Sequence, residues 1–147
     1  MISHKAKYAL KALVVLAKAS RDGRIVTASE IAETHRIPKK FLEQILLQLR
    51  HRGIVASQRG KAGGYMLGRR PEEITFGEVL RLIDGPIAPL PCLSRIAYER
   101  CEDCADEASC EVRRVFSAVA DATRDVLDRT TLSAAVRGSA EAILALQ

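Results

Sequence analysis

All four cysteines of this 147-residue chain fall between positions 91 and 110, in "PCLSRIAYERCEDCADEASC", spaced Cys92-x8-Cys101-x2-Cys104-x5-Cys110. Thiolates ligate zinc, wrap iron–sulfur clusters and act as redox nucleophiles. The spacing separates these chemistries only in part. A structural zinc site commonly uses two Cys-x2-4-Cys pairs, each pinning one turn, and here only Cys101 and Cys104 form such a pair. A cluster tolerates irregular loop spacings. A dithiol switch needs only Cys101 and Cys104, with a lowered thiolate pKa. The stretch "CEDCADEASC" brings few apolar side chains to bury. Ordering it costs conformational entropy that a bound metal would offset. Cluster and zinc therefore stay open, with the thiol switch behind them. A small thiol oxidoreductase built on Cys101 and Cys104 lacks the preceding strand–helix pattern of a thioredoxin-like site.

The remaining composition narrows the partners. Residues 1–70 carry 15 Lys or Arg against 4 Asp or Glu, whereas residues 71–147 carry 8 against 14. A basic half of that size is the electrostatic footprint of a nucleic-acid surface. Aromatic residues make up 4% and Trp is absent, which gives little support to sugar stacking or an aromatic cage. The opening "MISHKAKYALKALVVLAKAS" is interrupted by Lys11 and Lys18 and ends in no small-residue cleavage site. It reads as neither a membrane span nor a signal peptide, so a cytoplasmic protein with no membrane partner is expected. There thiols stay reduced, which favours metal or redox chemistry over a disulfide framework.

The elements that would position these groups are mostly helical. Ala6, Leu10, Leu13, Val14 and Ala17 recur at helical spacing across residues 4–20. Thr27 and Glu30 form a Thr-x-x-Glu capping box that opens a short second helix. "HRIP" breaks that helix, and Pro38 suits the first turn of a third, which Gly53 closes. Phe41, Leu42, Ile45, Leu46 and Leu49 give the third helix one apolar stripe. That leaves Lys39, Lys40, Glu43, Gln44 and Gln48 for its outer face. Gln and Glu can read base edges and Lys binds phosphates, and this helix takes the reading position of a helix-turn-helix. "IVASQ" and "YMLG" then read as strands joined by "RGKAGG", with Arg59 and Lys61 at the tip of a basic wing suited to a minor groove. The glycine-rich loop lacks the Walker pattern and its strand-to-helix context.

Thr75 and Glu78 form a second capping box before a helix that ends at "DGP". Beyond the cysteines, Val112, Phe116, Val119, Thr123 and Val126, widened by Val115, Ala122 and Leu127, mark a helix over about 111–129, roughly 27 Å long. Its wide apolar face suits a second subunit, with part of it packing on the first helix. A short helix over 131–136 and an apolar tail ending "AILALQ" complete the chain. The expected fold is mainly α with a small β-hairpin wing: a winged helix-turn-helix plus a long C-terminal dimerisation helix. The expected division is a DNA-binding domain over 1–85, a cysteine loop over 86–111, and a dimerisation helix with tail over 112–147.

Together, "KAKYALKAL", "IPKKFLEQILLQLRHRGIVASQRGKAGGYMLGRRPEEITFGEVLRLIDG" and cysteines just before a long helix resemble the Rrf2 family of bacterial transcription regulators. The resemblance runs through nearly the whole length. It implies a homodimer that binds palindromic operators on double-stranded DNA, commonly as a repressor, under control of an iron–sulfur cluster, [4Fe-4S] or [2Fe-2S], that senses iron, nitric oxide or redox state. By motif, Glu43 and Gln44 would read bases, and Lys39, Lys40 and Arg59 would contact backbone or minor groove, with Lys61 beside them on the wing. Cys92, Cys104 and Cys110 match the family's three loop ligands. Two positions depart from the pattern. Arg113 stands where a family sensor has a ligating His, and Tyr8 where another has an Asp that reaches across the dimer. Cys101 is then expected as the fourth ligand, with His4 a weaker candidate. The alternative is the same DNA-binding regulator using zinc or thiol oxidation.

Overall fold

The computed structural model describes residues 2–138; the apolar tail ending "AILALQ" lies outside the described residues. Helix α1 (His4–Ser20) is the centre of the body and packs against α2 (Ala28–His35), α3 (Lys39–His51), α4 (Phe76–Asp84) and α6 (Leu132–Arg137). Its Ala6, Ala9 and Ala12 are fully buried, so neighbouring elements approach its backbone closely. Leu13 and Leu16 of α1 meet Ile31, Leu42, Ile45, Leu46, Leu49, Ile74 and Leu132 in one core. Burying each of these side chains contributes about 1.5–3 kcal/mol.

Both Thr caps form, since Thr27 Oγ1 accepts from the Glu30 amide and Thr75 Oγ1 from the Glu78 amide. The carboxylates that would complete the boxes go elsewhere, Glu30 to Arg24 and Glu78 to Arg69. A nearby guanidinium offers a charge-assisted partner that outcompetes the backbone amide. Helix α2 ends with Arg36 in the left-handed region (φ 52°), while the Ile37 amide closes back onto Ala32 O at 2.9 Å. Pro38 stands just before α3 rather than inside its first turn.

Strands β1 (Val55–Gln58) and β2 (Gly64–Leu67) pair antiparallel with Val55 opposite Leu67 and Gln58 opposite Gly64. Val26 adds a bridge to Tyr65, whose amide donates to Val26 O at 2.7 Å, so the hairpin is anchored to the segment before α2. This is a winged helix.

After α4 the chain passes residues 85–90, makes a 3-10 turn at Pro91–Leu93, and enters α5 (Glu111–Arg129). Helix α5 packs on α4 and on that turn. At its far end the Phe76 amide donates to Thr130 O and the Leu132 amide to Ile74 O, both at 2.9 Å. The fully buried Leu132 then seats α6 in the winged-helix core. No helix among the described residues is long and apolar enough to cross a membrane.

Candidate nucleic-acid interface and cysteine segment

In α3 the buried set Leu42, Ile45, Leu46 and Leu49 turns one side fully inward. Lys39, Lys40, Glu43 and Gln44 are exposed on the opposite side, as are Arg59 and Lys61 at the wing. Among the described residues, none of these four cations is in an ion pair, which leaves them available to phosphate. Gln48 departs from the sequence expectation. It is half-buried and its side-chain amide donates to Leu82 O at 3.2 Å, tying α3 to α4. A carbonyl in the last turn of α4 has no partner within the helix, and Gln48 lies on the flank of α3 that meets it.

Two α3 residues were missed by the sequence reading. Arg50 donates to Ser57 Oγ at 3.1 Å and so ties the reading helix to the wing. Leu47 is exposed on the same side of α3 as Glu43, Gln44 and His51. Its spacing, three residues after Gln44 and four after Glu43, was a signal that could have found it. The wing turn depends on glycine. A Cβ on Gly63 would lie 2.3 Å from Gln58 O, and Gly60 has φ 105°.

The cysteine segment is partly drawn together. Cys92 is buried in the 3-10 turn, and Cys101, Cys104 and Cys110 are half-buried and reduced. Partial desolvation, then a hydrogen bond and charge contact with Cys92, push the Cys101 thiol pKa up, with smaller contributions from Asp103 and Cys104. Cys110 is the N-cap of α5, its sulfur accepting from the Arg113 amide at 3.4 Å. Among the described residues, no group of three or more His, Cys, Asp or Glu side chains is arranged to hold a metal ion.

Arginines occupy the positions around these thiols. Arg113 donates to Cys92 O at 3.4 Å and pairs with Glu107 at 3.8 Å. Arg124, largely buried, donates to Leu93 O and pairs with Asp121 at 2.9 Å. Arg100 donates to Cys104 O and Ala105 O, and Tyr98 hydroxyl donates to Glu107. Arg113 thus ties Cys92 to α5. Tyr8 packs edge-on against Phe41 at 6.0 Å between ring centres and belongs to the packing around α1, while His4 stays exposed with its ring centre 6.1 Å from that of Tyr8.

The family model described as Rrf2, iron-dependent transcriptional regulator, matches residues 2–138. The chain belongs to the Rrf2 family. Among its relatives, an rrf2-like HTH-type transcriptional regulator of Rhodobacter capsulatus is 53% identical over 90% of this chain and 89% of its own. The HTH-type transcriptional regulator IscR of Pectobacterium atrosepticum is 32% identical over 89% of this chain and 76% of its own. The solved structure of CymR, described as the global cysteine regulator of B. subtilis, superposes with a TM-score of 0.77 at 36% identity, covering 92% of this chain and 95% of that one. As an Rrf2-family member this protein is a DNA-binding transcriptional regulator with a winged helix, and not an enzyme.

Proposed function

We propose that the protein is a homodimeric regulator that binds a palindromic operator and whose cysteine segment holds an iron–sulfur cluster that governs this binding. The observation that carries the reading is the arginine tie between the Cys92 turn and α5. Arg113 and Arg124 hold the carbonyls of Cys92 and Leu93, so the position of the thiol segment and the position of α5 are linked. Helix α5 is in turn pinned to the winged helix through Arg81 and Asp128 at 2.5 Å and through the Phe76–Thr130 backbone bond. A change in the segment therefore has a contiguous mechanical path to α4 and, through Gln48, to α3.

The donor set suits such a group by its chemistry: four free thiols in one segment, with Cys101 beside Cys92. Cys92, Cys101, Cys104 and Cys110 would hold it. None of residues 95–109 is buried, so the segment can close around a group without dismantling the core. When bound, an iron–sulfur cluster supplies a centre sensitive to redox state and to small diatomic ligands. Family members with names as different as IscR and CymR match this chain, and a second reading keeps the same regulator with zinc or thiol oxidation. The contact between the Cys101 and Cys92 thiols favours that reading, since paired thiols are also a disulfide precursor.

Anaerobic purification with iron and sulfide analysis tests the proposal. Brown protein with visible absorption, and operator affinity that differs between cluster-loaded and cluster-free protein, is the expected result. Cys101→Ala is expected to alter the spectrum or shorten the lifetime of the cluster. An unchanged spectrum and lifetime would remove Cys101 from the ligand set, and colourless protein carrying zinc would select the second reading.

A further inference from the structure

Between residues 3 and 84, the span of α1 to α4, Leu47 is the one large hydrophobic side chain left exposed, at 44%. The other large hydrophobic side chains that are exposed among the described residues lie at Ile2 or between Ile96 and Val126. Leu47 does not serve the core. Its neighbours Leu42, Ile45, Leu46 and Leu49 are fully buried on the opposite side of α3. It lies instead in the row of exposed residues Lys40, Glu43, Gln44 and His51, which recur every three or four positions along one helix face.

We infer that Leu47 contacts the 5-methyl group of a thymine in each operator half-site. The inference rests on α3 being the reading helix. Lys40, Glu43 and Gln44 can donate to or accept from base edges and phosphates, but a leucine can do neither. What it offers is a dry apolar contact, and on the floor of the major groove the complementary feature is the thymine methyl. Leu47 stands about 6 Å along the helix axis from Glu43. With a rise of about 3.4 Å per base pair, the thymine lies one or two pairs from the position that Glu43 and Gln44 face.

The test starts from duplexes selected in vitro by the wild-type full chain. Each thymine of the selected operator is then replaced in turn by deoxyuridine, which removes only the methyl group. At one symmetric pair of positions, wild-type affinity is expected to fall about fourfold per half-site, the effect of exposing one buried methyl-sized group. Leu47→Ala is expected to bind the thymine and uracil duplexes equally there and to melt at the wild-type temperature. Leu47→Ser, which keeps a small side chain but adds a hydroxyl, is expected to show the same loss of discrimination. If wild type binds its operator but discriminates at no position where Leu47→Ala does not, the inference is overturned. If wild type selects no duplex at all, α3 is not a reading helix and the inference falls with that reading.

Discussion

Gln44 and Arg59 are both exposed, and among the described residues neither side chain has a hydrogen-bond or ion-pair partner, yet a duplex would use them differently. An amide on α3 reaches base edges through paired donor and acceptor groups, while a guanidinium on the wing meets the negative potential of phosphates and a narrow groove. Gln44→Ala is expected to relax preference at one base pair per half-site by about 1–3 kcal/mol while leaving other positions alone. Arg59→Ala is expected to weaken all sequences alike and to lower the magnitude of the salt slope by about 1. Anisotropy titrations over mismatched operators at several salt concentrations distinguish the two. These two residues were identifiable in the sequence because surface polarity on an amphipathic helix and at a hairpin tip follows from periodicity alone. Gln48 was misplaced for the same reason, since periodicity does not reveal that α4 ends beside it.

The wing is an element whose position depends on one close approach. A Cβ on Gly64 would lie 2.7 Å from Val26 O, the acceptor of the Tyr65 amide that anchors β2. Gly64→Ala is expected to cost about 1–3 kcal/mol, as for other overpacked sites. In urea melts it should lower the midpoint while leaving the slope unchanged, because the exposed area on unfolding stays the same. It should also weaken operator binding, because the hairpin tip shifts with the strand. The strands themselves were expected within a residue of where they lie. The Val26 bridge was not, because a single-residue pairing across 39 positions leaves no local pattern.

At the scale of the whole molecule, the unfinished surface is on α5. Val112 (57% exposed), Val115 (63%) and Val119 (47%) are far more open than core valines, and only Ala120 of this helix is buried. A contiguous apolar face of this kind marks an association surface, in keeping with the proposed homodimer. Val115→Glu is expected to convert the dimer to a folded monomer whose melting temperature, unlike that of the dimer, does not change with protein concentration, since the site contributes nothing to the core of one subunit. Sedimentation reports the change, and operator affinity should fall with it because two half-sites are then no longer bound together. Wild-type protein that sediments as a monomer would end the dimer proposal.

The sequence by itself determined the local features: the helices, both Thr caps, the hairpin and the clustering of thiols in one acidic stretch. Each depends on residues within about one or two turns of each other, and such patterns are written directly into spacing. Tertiary structure decided what depends on distant partners. It sent the Glu30 and Glu78 carboxylates to arginines, turned Gln48 to Leu82, and left Leu47 open beside Gln44. It also placed Arg113 and Arg124 on the carbonyls of the Cys92 turn, 21 and 31 residues away. Those choices are competitions among donors and acceptors brought together only when α1, α4 and α5 pack, and a linear pattern does not record their outcome.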